Sequence, residues 1–221
     1  MKLLIATRNK HKLEEIRAIF SIPSLKIISI NDCENLPHVE EDGNTFVANA
    51  IKKAATLAIT AKTWAMADDS GLAVEALGGA PGVYSARYAG EPADYEANNN
   101  KLMKALENIS NRKACFHCAI ALSSPSGRCQ VVEGKCEGSI VDSPRGNNGF
   151  GYDPLFVPDG HTMTFAEMES NVKNVISHRA IALNLSKEKW EELLTCDSGD
   201  WPKRETKKQD SGVGEKKQAK D

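Results

Sequence analysis

Two adjacent carboxylates, Asp68 and Asp69, follow an apolar run in the segment AMADDSGLAV, which spans residues 65–74. Like charges side by side repel each other, and the end of a buried strand solvates them poorly. We therefore expect a cation to compensate the pair. Mg²⁺ is the candidate, because it usually takes one or two carboxylates together with waters and substrate phosphates.

A second acidic cluster precedes a predicted helix in the segment HVEEDGNTF, where Glu40, Glu41 and Asp42 are consecutive. Acids ahead of a helix favour its dipole, so one or two of them need no further role. Glu40 or Glu41 is nevertheless a candidate partner of the aspartate pair in a metal site. The sequence leaves the choice between the two glutamates open.

The first predicted strand leads through the loop TRNKHK, residues 7–12, into a helix. A helix N-terminus offers free N–H groups and a positive dipole end, which suit phosphate. Lys12 can reach the same anion, and Lys53 on the next helix is a second candidate. The alternative is that Thr7 or Asn9 simply caps the helix. The loop lacks the Walker A pattern.

Two later segments carry groups that can contact a nucleobase. In NNGFGYDPLF, Phe150 and Tyr152 can stack on a base and Asp153 can hydrogen-bond to one. In SHRAIAL, Ser177 is placed to cap a helix, and the cations of the next two residues lie in its first turn. Cations there disfavour the helix, so this segment predicts a functional role.

The spacing Cys115-x-x-Cys118 raises the question of metal or redox chemistry. One such pair is weak evidence for zinc, which usually needs four ligands. The surrounding residues CFHCAIAL alternate in the manner of a strand, so we interpret both residues as buried thiols and His117 as an ordinary strand residue.

Strands and helices alternate along the first part of the chain, the order expected of an α/β fold. The predicted strands are 2–6, 25–30, 63–67, 115–122 and 129–140, and the predicted helices are 12–20, 46–61, 93–109 and 177–194. The 221 residues suffice for one α/β domain. A net charge of -2 gives no signal for nucleic acid or for an anionic membrane.

The composition changes near the C-terminus, where residues 197–221 contain mixed charges and almost no apolar side chains. We therefore expect a domain over residues 1–196, followed by a disordered tail. The chain contains no apolar run long enough for a membrane span. Its first residues lack a secretory leader pattern. We expect a cytoplasmic protein.

Five motifs occur in order over residues 1 to about 195. They are T-x-N-x-x-K at 7–12, A-D-D-S-G-L at 67–72, G-G-A-P-G-x-Y-S-A-R-Y at 78–88, G-F-G-Y-D-P at 149–154 and S-H-R at 177–179. In this combination the chain closely resembles the inosine triphosphate pyrophosphatase family, the dITP/XTP diphosphatases.

The resemblance implies an elongated mixed central sheet flanked by helices, with two lobes and the active-site cleft between them. It also implies a homodimer. The implied activity is Mg²⁺-dependent hydrolysis of ITP, dITP and XTP to the monophosphate and pyrophosphate, which removes deaminated purines from the nucleotide pool. No nucleic-acid partner is implied.

The resemblance implies that residues at matching positions of this chain have the same roles as in the family. The resemblance makes Asp69 the general base and a metal ligand, with Glu40 or Glu41 as the second ligand and Asp68 as a further candidate. The implied triphosphate-binding residues are Thr7, Arg8, Asn9, Lys10, His11, Lys12 and Lys53. The implied residues for the remainder of the substrate are Ser70, Arg87, Phe150, Gly151, Tyr152, Asp153, Lys173, His178 and Arg179.

The chain departs from the family pattern at Arg8, where the family usually has glycine. Arg8 either projects outward or adds a charge contact to the phosphates. Three other interpretations remain: a Maf-type pyrophosphatase acting on pyrimidine or modified nucleotides, a non-catalytic nucleotide sensor, and an RNA-associated protein that acts through the lysines of its tail.

Overall fold

Six strands form one mixed sheet in the order β2-β1-β3-β4-β5-β6. The computed structural model describes residues 1–33, 35–195 and 199–201. The strands are β1 (Lys2–Ile5), β2 (Lys26–Ser29), β3 (Trp64–Val74), β4 (Lys113–Ser123), β5 (Cys129–Ile140) and β6 (Phe156–Pro158). The helices are α1 (Lys10–Ile19), α2 (Phe46–Ala61), α3 (Tyr95–Ala105), α4 (Ser170–Ile176) and α5 (His178–Thr195).

The sheet changes from parallel to antiparallel at β3. Strand β1 pairs in parallel with β2 and β3, because α1 and α2 provide the crossovers that parallel neighbours require. Strands β3 to β6 follow one another in antiparallel pairs. The predicted α/β class with a mixed sheet is confirmed, whereas β6 and α4 were not predicted.

Strand β3 is longer than its apolar run predicts. The prediction ends the strand at residue 67, but it continues to Val74, so Asp68 and Asp69 lie within the strand and not at its end. Antiparallel pairing with β4 along Ala65 to Val74 satisfies this backbone. The pairing with β1 ends at Met66, and the carboxylates therefore lie just beyond the carboxyl end of β1.

Alternating side chains of the strands pack on two faces of the sheet. On one face, Leu3 and Ile5 join α1 and α5 in a core that includes Trp190. On the other face, Leu4 and Ala6 pack against the alanine-rich side of α2.

A third core surrounds Phe116, Phe156 and Phe165 toward the far ends of the long strands. The long strands thus extend from a first lobe, built around the first two cores, into a second lobe, built around the third.

Helix α5 approaches β5 closely at Gly134. A Cβ atom at this position would lie 2.2 Å from the carbonyl oxygen of His178. The Ser177 hydroxyl accepts a hydrogen bond from the backbone N–H of Ala180 at 3.1 Å, so the predicted cap is confirmed. Glycine in the strand and serine at the cap together fix where the first turn of α5 lies.

The C-x-x-C pair lies in β4, as interpreted from the sequence. Cys115 and Cys118 are free buried thiols, and their odd spacing directs them to opposite faces of the sheet. His117 stacks on Phe46 with ring centroids 5.9 Å apart. Within the described ranges, no group of three or more His, Cys, Asp and Glu side chains forms a metal cluster.

One described residue beyond the domain boundary expected at residue 196 packs against the folded domain. Trp201 is buried in the first core, where its ring meets that of Trp64 edge-on at 5.1 Å. Its indole N–H donates to the carbonyl oxygen of Arg128 at 2.6 Å. Trp201 is surrounded in the sequence by polar residues, so no apolar pattern there indicates that it is buried. Residues 196–198 and 202–221 of the predicted boundary and tail lie outside the described residues.

In the part of the chain that the structure describes, none of the helices has the length and apolarity needed to cross a membrane.

Candidate active site

A cleft of about 330 Å³ opens between the two lobes. Most residues of the sequence motifs line it. Those predicted from the sequence and found on its walls are Thr7, Arg8, Asn9, Lys12, Glu41, Lys53, Asp69, Ser70, Arg87, Phe150, Gly151, Tyr152, Asp153, Lys173, His178 and Arg179. The predicted residues absent from its walls are Lys10, His11, Glu40 and Asp68.

Asp68 lies beneath the cleft and is surrounded by donors. Lys12 Nζ lies 2.5 Å from Oδ1 of Asp68, and Arg179 Nε lies 3.0 Å from Oδ2. Burial alone would raise the pKa of Asp68, but Arg179 and Lys12 outweigh it and hold that pKa well below its usual range. The cations of α1 and α5 thus neutralise the charge of Asp68. Its oxygens therefore have little remaining capacity to bind a metal.

Asp69 faces the opposite side of the sheet, toward α2. Lys53 Nζ lies 3.5 Å from Oδ1 of Asp69 and 3.1 Å from Oε1 of Glu41. Burial raises the pKa of Asp69 to about 6; Lys53 and Lys12 oppose the rise and Glu41 adds to it. An acid with this pKa is suited to accept a proton near neutral pH.

The carboxylate oxygens at and around Asp69 are of the kind that binds a hard divalent cation. Asp69 Oδ2 is buried without a hydrogen-bond partner among the described residues, so the site retains unused acceptor capacity. Glu41 is half-buried at the cleft and Glu40 is exposed. Arg87 donates to the backbone oxygen of Glu41 at 2.8 Å, which fixes this segment. Asp69 and Glu41 are therefore the carboxylates placed to share an ion.

The loop between β1 and α1 is ordered by its own side chains. Asn9 caps α1, since its Oδ1 accepts from the backbone N–H groups of His11 and Lys12 at 3.0 and 3.2 Å. Thr7 Oγ1 accepts from the backbone N–H of Asn9 at 3.2 Å. The capping role considered for Asn9 is thus present. Arg8 is exposed and also lines the cleft.

Gly71 of the A-D-D-S-G-L motif allows the segment Gly82–Arg87 to lie against β3. A Cβ atom on Gly71 would lie 2.4 Å from Ser85 Oγ and 2.5 Å from the Gly82 carbonyl oxygen. Ser85 Oγ instead accepts from the backbone N–H of Leu72 at 2.9 Å. This contact holds one wall of the cleft.

Phe150 lies in the cleft between α1 and α4. Its ring stacks on His11 at 5.2 Å and tilts against Tyr95 at 6.0 Å. Lys173 Nζ lies 5.0 Å from the ring centroid. This aromatic surface suits the stacking that the sequence predicts for Phe150, and His11 supports the ring from the first lobe.

Tyr152 and Asp153 hold the same loop in place. The Tyr152 hydroxyl donates to the backbone oxygen of Ser85 at 2.9 Å, so its ring is a buried support and is not free to stack on a base. Asp153 Oδ2 accepts from Lys173 Nζ at 2.5 Å and from the backbone N–H of Phe150 at 2.8 Å. Gly149 has φ +71°, and its Cβ would lie 2.0 Å from that carboxylate.

His178 is buried with its ring flat on Phe116, at 4.6 Å between centroids. Burial lowers its pKa well below the usual value, and Arg179 and Lys173 lower it further. The imidazole is therefore neutral. Its Nδ1 is buried and has no partner among the described residues.

The sequence model of the Ham1 family matches residues 3–189. The chain belongs to the Ham1 family. The match covers all five motifs and confirms the resemblance drawn from them.

Named relatives cover nearly the same region of this Ham1-family chain. Proteins named dITP/XTP pyrophosphatase from Desulforamulus reducens and Geobacter sulfurreducens are 50% and 51% identical over 190 and 189 residues. These alignments cover 85% of this chain in both cases, and 94% and 95% of the two relatives.

Solved structures share the fold. The Staphylococcus aureus Ham1 protein matches with a TM-score of 0.80 at 41% identity, over 87% of this chain and 100% of that one. A HAM1 protein from Coxiella burnetii matches with a TM-score of 0.81 at 41% identity, over 87% and 99%. The mixed α/β architecture is thus that of the family.

Glu15 is a residue of the Ham1-family site that the sequence analysis missed. It accepts from Lys173 Nζ at 2.9 Å and from Arg179. Burial opposes its ionisation, but Arg179 and Lys173 outweigh it and lower the pKa of Glu15. Helical spacing in the sequence could have identified Glu15, because it lies three residues after Lys12 and shares its face of α1.

Proposed function

We propose that this chain hydrolyses deaminated purine nucleoside triphosphates, namely ITP, dITP and XTP, to the monophosphate and pyrophosphate. The observation that carries the proposal is the convergence of five motifs on one cleft, in a chain whose curated relatives at about half identity bear the name dITP/XTP pyrophosphatase. Removal of these nucleotides cleanses the nucleotide pool.

Asp69 is the proposed general base. Its buried carboxylate has a pKa raised by burial to about 6, so it is ionised at neutral pH and still basic enough to take a proton from water. Lys53 lies on the same side of the sheet, and its charge orients Asp69 toward the cleft. Lys12 and Lys53 stabilise the negative charge that develops on the phosphate oxygens during the reaction.

The proposed cofactor is Mg²⁺, held by Asp69 and Glu41. When bound, Mg²⁺ polarises phosphoryl oxygens and neutralises charge on the leaving pyrophosphate. The support in this chain is the unpartnered Oδ2 of Asp69 beside a second carboxylate. Two carboxylates leave the remaining positions of this ion to water and phosphate oxygens, as magnesium sites commonly do.

The base is proposed to bind in the cleft beside Phe150, with its polar edge toward the cationic side chains of α4 and α5. Hypoxanthine and xanthine carry a 6-keto acceptor where adenine carries a donor, so a site of donors leaves ATP with an unpaired donor. Lys173 and Arg179 supply N–H donors, and the neutral His178 supplies an unpartnered ring nitrogen.

We further propose that the protein is a homodimer located in the cytoplasm. Its catalytic domain is proposed to extend to Trp201, and the residues after Trp201 are proposed to be an appended tail. Cys33, Cys115, Cys118, Cys129 and Cys136 are free thiols, as is usual in a reducing compartment. A nucleic-acid or membrane partner is not part of the proposal. Sedimentation analysis of the purified protein tests the dimer directly.

The activity is tested by measuring pyrophosphate release from ITP, dITP, XTP, ATP, GTP and dTTP, with and without Mg²⁺. The expected result is Mg²⁺-dependent release from the first three. Release mainly from dTTP would replace the proposal with a Maf-like specificity. Binding of ITP without release from any nucleotide would indicate a sensor.

A further inference from the structure

Cys118 lies beside Asp68 on one face of the sheet. The register places Ser70 of β3 opposite Cys118 of β4, and Asp68 lies two residues from Ser70, so all three side chains share that face. The Cys118 thiol donates to Oδ2 of Asp68 at 3.0 Å, and both groups are buried. The pairing of the strands therefore determines this contact.

Each oxygen of Asp68 accepts two hydrogen bonds. Oδ1 accepts from Lys12 Nζ at 2.5 Å and from Ser70 Oγ at 3.3 Å. Oδ2 accepts from Arg179 Nε at 3.0 Å and from the thiol. The thiol is the uncharged donor that shares an oxygen with Arg179, and it comes from a rigid central strand.

Asp68 connects the two ends of the cleft. Lys12 belongs to the first turn of α1 on the phosphate side, and Arg179 belongs to the first turn of α5 on the base side. A rotation of the Asp68 carboxylate would displace both cations at once. A donor that fixes the rotation of this carboxylate consequently affects phosphate binding and base selection together.

We propose that Cys118 is a positioning residue, whose thiol fixes the Asp68 carboxylate so that Lys12 and Arg179 are presented to the substrate. The proposal rests on the proposed pyrophosphatase function. The competing account is that Cys118 only fills space, since it also packs in the core with Ile120 and Leu183. The two accounts differ in what an uncharged donor at this position does for activity.

Substitutions at Cys118 separate the two accounts. Cys118→Val keeps an apolar side chain of similar size and removes the donor, whereas Cys118→Ser keeps a donor and shortens its reach. Cys115→Ala is the matched control, because it removes a thiol from the same strand on the opposite face, where Cys115 donates to its neighbour's carbonyl oxygen at 3.4 Å. If Cys118→Val does not fold, Cys118→Ala replaces it.

The readouts are kcat/KM for ITP, the preference for ITP over ATP, and the melting temperature. A hydrogen bond to a charged group has an energy that corresponds to about a tenfold effect. We expect Cys118→Val to lower kcat/KM about tenfold and to weaken the preference for ITP. Cys118→Ser should restore most of both, and Cys115→Ala should change neither.

Two results would overturn the proposal. One is a Cys118→Val enzyme that melts at a lower temperature but retains wild-type kcat/KM and base preference. The other is a Cys118→Ser enzyme as impaired as Cys118→Val, because the hydroxyl donor would then rescue nothing. Either result assigns Cys118 to packing alone.

A double-mutant cycle in unfolding free energy tests the hydrogen bond without nucleotide. The cycle combines Cys118→Ala with Asp68→Asn, and the matched cycle combines Cys115→Ala with Asp68→Asn. Coupling in the first cycle and additivity in the second are expected, and additivity in both contradicts the proposal. A wild-type protein inactive on every nucleotide would refute the proposed function and leave this cycle interpretable.

Discussion

Asp68 and Asp69 are neighbours in the chain, but their carboxylates face opposite sides of β3. Asp68 forms its ion pairs with Lys12 and Arg179, and Asp69 faces Lys53. The repulsion expected between adjacent charges is therefore relieved on two separate faces. One carboxylate stabilises the architecture of the cleft, and the other remains available for chemistry.

Asp69→Asn should nearly abolish activity and preserve the fold. Removal of a positioned base typically lowers the rate by about 10²–10⁴-fold, and asparagine keeps the shape of the side chain. Pyrophosphate release from ITP and the melting temperature are the measurements. Wild-type turnover in this variant would remove Asp69 from the role of base.

Asp68→Asn is the matched change one residue earlier, with the opposite expectation for stability. It removes the buried anion that Lys12 and Arg179 share and leaves only Glu15 beside Arg179, and breaking a buried ion pair typically costs about 3–5 kcal/mol. Urea unfolding of both variants measures the difference. Equal stability of the two variants would contradict the division of roles between the carboxylates.

The stability of the metal-free protein should depend on pH through Asp69. Burial raises its pKa in the folded state from 3.8 to about 6, so the folded protein retains a proton that the unfolded chain has released. This contribution to the free energy of unfolding is fully present below about pH 4 and is lost as the pH rises to about 6. Unfolding in chelator across this range should show the slope, and Asp69→Asn should lack it.

Lys53 and Lys52 provide a matched pair on α2. Lys53 is buried beside Asp69 and Glu41, whereas Lys52 pairs on the surface with Asp42 at 2.6 Å. Lys53→Ala should lower kcat/KM about 10²-fold, in the range seen when one electrostatic donor is removed from an active site. Lys52→Ala should leave kcat/KM unchanged. Similar losses in both variants would indicate a general effect of helix charge.

Lys173→Ala should reduce the preference for ITP over ATP. The ammonium group lies between Asp153 and Glu15, 5.0 Å from the centroid of Phe150, and it is the donor proposed to recognise the 6-keto group of the base. The ratio of kcat/KM for the two nucleotides is the measurement. A variant that discriminates as strongly as the wild type would show that the base is selected elsewhere.

Trp201 should anchor the end of the folded domain. A chain that ends at residue 196 loses the packing against Trp64 and the hydrogen bond to Arg128, and loss of a buried aromatic side chain typically costs about 3 kcal/mol. A chain that ends at Trp201 should keep the full unfolding free energy. Both truncated proteins should retain the wild-type kcat/KM at low temperature, because Trp201 is outside the cleft. Equal melting temperatures would contradict the anchor.

The amino-acid sequence by itself determined the α/β class, the family and most of the residues that line the cleft. The alanine-rich composition and the start signals just before it predicted α2 at the observed bounds, residues 46–61, because helix propensity and capping are local properties. The ordered motifs also predicted that Lys12, Asp69 and Arg179 belong to one site, and all three line the cleft.

Tertiary structure decided what depends on partners distant in the chain. The length of β3 followed from its pairing with β4, which no local pattern in AMADDSGLAV records. The different roles of Asp68 and Asp69 followed from which cations approach each face of the sheet. The contacts of Glu15, Cys118 and Trp201 likewise join residues far apart in sequence, and only folding brings such residues within hydrogen-bonding or van der Waals range.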